Sequence, residues 1–346
     1  MVSLVVSSLL IGMILAIWGR MSLAFRGQQS LAELQQILAA AHERVESDLR
    51  LAGFQIPDGF LVAGDPLLHE PVEIVDDADG FGPDELRVFA ADASAVARVV
   101  DFNGGGDAPT DSFVTVAVDT AADFVAGDLA VIVKAQAGAP ADVAFFACVV
   151  QIESIAGDSL TLAGNGLWGT TQNDQCDRVR TDPALGPDRR AMVYRFRARA
   201  YRIDPARRDL AVLQMSPTAG RAGDWEDLAV GFTDLQVATR WSDGQWHSDD
   251  VQAVLTAPNS DPARPRPLVA RVSLVVRTHT KVDVAPSQRT PALIDPANPA
   301  NNDLGNRDAI QLEGVDDAAR PEELRGEHVY RHATVGTDLR NLGVGL

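Results

Sequence analysis

The sequence predicts an α+β protein in which one long N-terminal spine helix, apolar at first and then amphipathic, is attached to a β-rich, mainly antiparallel globular domain. Three observations predict it. The chain opens on "MVSLVVSSLLIGMILAIWG", with no charged residue before Arg20. Apolar residues then recur at spacings of three and four as far as Ala52, with no proline before Pro57. From Pro57 onward the texture changes to short β-branched and apolar runs punctuated by Gly, Asp, Asn and Pro, the pattern of strands and turns. The boundaries that follow are residues 1–53 for the helix and 54–346 for the domain.

Val2 to Trp18 is an apolar run interrupted by Ser3, Ser7, Ser8 and Gly12, at the short end of what spans a bilayer. On that run alone a cleavable signal and a membrane span stay equally open, although the basic n-region of a signal is missing. The next segment decides. Leu31, Leu34, Leu38, Ala41, Val45, Leu49 and Ala52 fall on one stripe of a helix, and Gly53 with Pro57 beyond it supplies the stop. One helix from residue 2 to residue 52 would be about 75 Å long. A signal peptide does not run unbroken into such a helix, whereas a single-pass anchor that doubles as a packing spine does. Val2, Leu4, Val5, Val6, Leu9, Leu10, Ile11, Ile14, Leu15, Ile17 and Trp18 are its candidate membrane surface.

The expected strands are 72–75, 85–91, 97–102, 113–118, 129–135, 144–155, 159–164, 192–204, 209–215, 228–241 and 267–278, with a last one in "HVYRHATVGTDLRNLG". "IDPARRDL" supplies an Asp-Pro turn, so 192–215 reads as a hairpin. In its first strand Val193, Arg195, Arg197, Arg199 and Tyr201 share one face. In so acidic a chain such a basic stripe pairs with acidic neighbours more often than it binds a ligand. Residues 283–327, rich in Pro, Asn and Asp, read as a long exposed loop.

A net charge of −18, from 48 acidic against 30 basic residues, argues against direct nucleic-acid binding. There is no H-E-x-x-H, G-x-S-x-G or Walker loop. "GNGLWG" at 164–169 matches G-x-G-x-x-G but is followed by turn-forming "TTQNDQCD" rather than a helix, so the phosphate-binding helix N-terminus is lacking. The six histidines are scattered. No catalytic constellation, cofactor site or metal site can be assembled, and the expectation is a protein that is not an enzyme. The two cysteines, Cys148 and Cys176, are either separate thiols or, outside the cytoplasm, one bridge contributing about 3–4 kcal/mol.

In this order, "MVSLVVSSLLIGMIL", "ERVESDLRLAGF", "VYRFRARAYRIDPARRDLAVL", "GFTDLQVATRW", "ARVSLVVRT" and "YRHATVGTDLRNLG" resemble the minor pilins of bacterial type IV pili, the PilW-type subunit in particular. The resemblance implies a pilin-like fold and a minor structural subunit that helps to prime pilus assembly in a tip complex. It implies an inner-membrane location with a periplasmic domain before assembly, and a cell-surface pilus of the kind used in twitching motility and adhesion afterwards. Other minor pilins and the major pilin would be partners through the N-terminal helix, and a tip adhesin another, with 283–327 a candidate contact. The family carries a basic leader ending in Gly, then Phe-Thr-Leu-x-Glu, ahead of a stretch like "MVSLVV". Neither is in the quoted sequence, so no residue here takes either role. A J-type pseudopilin of type II secretion and a membrane-anchored periplasmic binding module are the alternatives. If Cys148 and Cys176 are bridged, reduction is expected to loosen "GNGLWGTTQND" before the helix, as hydrogen exchange of the oxidised and reduced chain would show.

Overall fold

The computed structural model of the chain describes residues 2–56, 59–62, 65–75, 83–102, 115–135, 145–163, 191–204, 206, 211–218, 224–247, 267–278 and 330–339. Helix α1 runs unbroken over Val2–Leu51. After it come β1 (Phe60–Val62), β2 (Asp65–His69), β3 (Val72–Val75), β4 (Glu85–Asp101), β5 (Thr115–Val118), β6 (Leu129–Ala135), β7 (Phe145–Ala156) and β8 (Ser159–Leu162). The second half holds β9 (Ala191–Ile203), β10 (Val212–Ser216), β11 (Glu226–Val230), β12 (Phe232–Trp241), β13 (Trp246–His247), β14 (Pro267–Arg277) and β15 (Tyr330–Asp338). This is a long helix on a β-rich domain whose pairings are antiparallel except for a two-residue parallel contact of β1 with β7. The long loop expected at 283–327 lies outside the described residues.

Two expectations are corrected, each for a local physical reason. The runs 85–91 and 97–102 are one strand, β4, because Asp92–Val96 forms a bulge against β9 instead of a turn. Asp92 Oδ1 accepts the Ser94 N–H at 2.9 Å inside that bulge, and the bend re-aims the strand. Conversely 228–241 is two strands, β11 and β12, which belong to different sheets. Gly231 divides them at φ +98°, and a Cβ there would lie 2.8 Å from the Arg277 carbonyl oxygen. Its N–H donates to Ala211 O at 2.7 Å and its carbonyl accepts from Arg277 N–H at 2.7 Å, so one glycine ties three segments together. The short strands β1, β2 and β13 were not expected from the sequence.

The sheet pairings contain a closed ring. β4 pairs β9, β9 pairs β6, β6 pairs β7, β7 pairs β8, β8 pairs β5, and β5 returns to β4, all antiparallel. These six strands enclose a core with Ala95, Ala97, Ala130 and Ala191 among larger residues such as Val116, Ile132, Ile152 and Leu160. Small residues are what so narrow a barrel has room for. At one end the strands are joined by 119–128 and by the Gly157–Asp158 turn. At the other end lie the strand ends that flank 103–114, 136–144 and 164–190.

β4 and β9 extend beyond the ring into a second layer, where β3 flanks β4 and β10 and β11 follow β9. Facing that layer is a separate four-stranded sheet in the order β13-β12-β14-β15. Leu34, Leu38, Ala41, Val45, Leu49 and Ala52 of α1 share one apolar cluster with Leu86 and Val88 of β4, Leu235 and Val237 of β12, and Val272 and Leu274 of β14. A third cluster, centred on Phe60, Phe89 and Phe196, covers the outer wall of the barrel. Gly231→Ala is expected to destabilise the domain by about 2 kcal/mol or more, since it combines a positive φ with a backbone clash. Urea unfolding of the full chain in detergent would measure it.

Candidate functional site

Helix α1 carries two surfaces in series. Along its first half Leu10, Ile11, Ile14, Leu15, Ile17 and Trp18 are 54 to 69% exposed, and so, by similar margins, are Met21 and Phe25. An isolated soluble fold does not leave so many large apolar groups in water. By length and composition this helix can cross a membrane, and none of its apolar window is covered by the rest of the chain. Of the other expected surface residues, Val2, Leu4, Val5, Val6 and Leu9 lie on α1 but their side chains are outside the described set. Met21 and Phe25 extend the surface past Arg20. The spacing of Met21 and Phe25 after Trp18 is the sequence signal for this extension.

The second half is built into the domain. Beyond the apolar stripe, the helix buries two polar side chains, His42 and Asp48. The backbone of Ala333 on β15 and Val272 on β14 lies in hydrogen-bonding reach of His42. Asp48 faces β9. Tyr201 donates its hydroxyl to Asp48 Oδ2 at 2.5 Å, and Arg197 Nη2 donates to Oδ1 at 2.7 Å. Arg44 Nε, one turn back along the helix, is 4.0 Å from Oδ2. Both carboxylate oxygens of a residue whose side chain is only 3% exposed are therefore engaged from one strand. Burial, with Asp48 beside it, pushes the Tyr201 hydroxyl well above the ordinary tyrosine range. Past the helix the chain is stitched to β4: Gly53 N–H donates to Phe89 O at 3.0 Å and Ala91 N–H to Phe54 O at 2.9 Å.

Two arginines of the β9 stripe, Arg195 and Arg197, thus meet acids, as the sequence context implied. Arg195 pairs with Asp128 at 3.1 Å and also donates to the Asp123 carbonyl, while Arg197 takes Asp48. On the barrel's outer wall, His69 and Glu73 form a buried pair at 2.7 Å, with Phe60 stacked on the His69 ring. Cys148, buried in the barrel core, is disulfide-bonded. Cys176 and "GNGLWG" lie outside the described residues. Among the described residues no group of three or more His, Cys, Asp or Glu side chains is placed to hold a metal ion.

No protein-family model matches the chain, and no curated protein sequence matches it significantly. Among solved structures the chain is similar to a type IV-like pilin from Thermus thermophilus. The identity is 10%, over 90% of this chain and 98% of that one, with a TM-score of 0.36. The fold class rests on the helix and the strand pairings themselves.

Tyr201→Phe removes a donor from a buried carboxylate and is expected to cost about 1–3 kcal/mol near neutral pH. The hydroxyl's pKa is raised on folding, so its contribution is complete below about pH 10 and falls as the unfolded-state tyrosine begins to ionise above it. The stability gap between wild type and Tyr201→Phe should therefore narrow above pH 10. Urea titrations of both proteins at a series of pH values check the size and the sign.

Proposed function

We propose that the chain is a structural subunit of a type IV pilus-like filament, present as a minor pilin that helps to prime assembly with other minor pilins at the tip. One observation carries this reading: α1 is continuous, yet the large apolar side chains described in its first half, from Leu10 to Phe25, are uncovered while its second half packs into the core of the domain. An apolar helical surface of that kind has two stable surroundings, the hydrocarbon of a bilayer and the packed helices of neighbouring subunits. Before assembly the first half of the helix sits in the inner membrane with the β domain in the periplasm. Afterwards the same surface is buried against the major pilin and other minor pilins. The role is structural rather than catalytic, and the energy for extraction comes from outside this chain. The order of the sequence landmarks, from "MVSLVV" to "YRHATVGTDLRNLG", supports the minor-pilin form of the reading.

Exchanging residues 2–25 for an unrelated transmembrane helix of the same length tests this. The hybrid should remain in the membrane fraction and disappear from sheared surface filaments, which contain the wild-type chain. A hybrid recovered from filaments as efficiently as wild type, or a wild-type chain found only in membranes, would overturn the filament reading. Loss of secretion with piliation intact in a deletion strain would instead move the chain to a type II secretion machine.

A further inference from the structure

Where α1 meets β9 three guanidiniums surround one carboxylate. Asp48 has already given both oxygens to Arg197 and Tyr201, and Arg44 reaches it only at 4.0 Å. Arg199, the next residue on that face of β9, makes its hydrogen-bonding contact with Met215 Sδ at 3.7 Å, and sulfur is a weak acceptor. The Nε atoms of Arg197 and Arg199 are both buried without a hydrogen-bond partner. Elsewhere on β9 the arginines are matched: Arg195 has Asp128, while Arg202 donates to Gln214 Oε1 at 3.1 Å and stacks on Trp225. Asp92 lies opposite Arg195 and acts electrostatically on Arg195 and Arg197. Arg199 itself is held below its usual range by burial first and then by the like charge of Arg197, with the attraction of Asp48 opposing the shift and Arg44 adding to it. Positive charge is in excess here, in a chain of net charge −18.

We propose that Arg44, Arg197 and Arg199 form a docking site for a second carboxylate, supplied by an acidic side chain of a neighbouring protein subunit. The site is accessible: the side chains of Arg44 and Arg197 are 43% and 33% exposed. A guanidinium fork takes a carboxylate through two parallel charge-assisted hydrogen bonds. A protein carboxylate fits the position better than a lipid phosphate. Arg44 lies 19 residues beyond Phe25 on the same helix, about 28 Å along the axis, whereas the headgroup layer extends only about 5–8 Å past the hydrocarbon. That choice of source rests on the membrane-anchored reading above; the carboxylate site itself does not. A subunit engaging Arg199 would lie against the domain-embedded half of α1, beside the helix rather than at the far end of the barrel.

The test uses the full chain in detergent micelles at low ionic strength, with a labelled hexaglutamate peptide as probe and fluorescence anisotropy as readout. The wild type should bind the peptide despite its net negative charge and release it in 0.5 M salt, which is about the regime where exposed ion pairs are screened. Arg199→Gln should weaken binding tenfold or more, Arg44→Gln less, and Arg199→Lys to an intermediate degree. Arg199→Gln without peptide should melt at the wild-type temperature or above it, because it removes a charge that has no carboxylate of its own. Unchanged peptide affinity in Arg199→Gln would overturn the site. A lowered melting temperature of the peptide-free variant would also overturn it, by showing that Arg199 already has a stabilising partner. Displacement of the peptide by inorganic phosphate at equal concentration would overturn the protein-carboxylate assignment in favour of a small-anion site. None of these outcomes depends on whether the chain enters a filament.

Discussion

A helix of fifty residues held at only one end depends wholly on that end, and here the hold is the stripe from Leu34 to Ala52. These side chains are buried between the β4–β9 layer and the β12–β14 sheet, and removing such a set from water is worth on the order of 10 kcal/mol. The stripe fixes position but leaves rotation and sliding to be set by something directional. Asp48 supplies that direction. A carboxylate that must satisfy Tyr201 and Arg197 together accepts one register of helix on strand, since a shift of a single residue would leave it buried without its donors. Apolar area therefore gives the attachment its strength, and one polar cluster gives it its address.

The barrel is a second structural idea in the same chain. Its six strands close on themselves, so the interior needs no cover from the helix and the ring presents no open edge of its own. The two bodies are not separate, because β4 and β9 run through both. The bulge at Asp92–Val96 is where β4 changes from lining the helix seat to lining the barrel. Residues on either side of it belong to different cores: Leu86 and Val88 pack with α1, while Ala97 and Val99 pack inside the ring. A straight strand could not serve both.

What the sequence made legible was local. The helix, its change of character near its middle, and most strands follow from periodicity, because spacings of three and four or of two reflect which face is buried. What stayed hidden was pairing between distant segments. Nothing near Asp48 announces Tyr201 and Arg197, whose positions are 153 and 149 residues away. Ring closure has no local signature either, since the six strands alternate as any half-buried strands do. The two misread strands fail for the same reason from opposite sides: Gly231 looks like an ordinary strand glycine until Arg277 is brought against it, and "DASAV" looks like a turn until β9 pairs on both sides of it. The exposed apolar run from Leu10 to Trp18 was legible in the sequence, the anchoring cluster only as an arginine stripe awaiting acids.

The one-sided plumbing of the barrel has an evolutionary consequence. The joins to 103–114, 136–144 and 164–190 all fall at a single rim, while 119–128 and the Gly157–Asp158 turn lie at the opposite end and the helix seat is built from other residues. Substitution, lengthening or shortening at that rim is uncoupled from the packing that holds the helix, because loop length there costs only slowly growing closure entropy. The chain can thus diversify what it presents outward while conserving how it is attached. A lineage of such proteins would show its fastest drift in three stretches widely separated in sequence whose points of attachment share one rim.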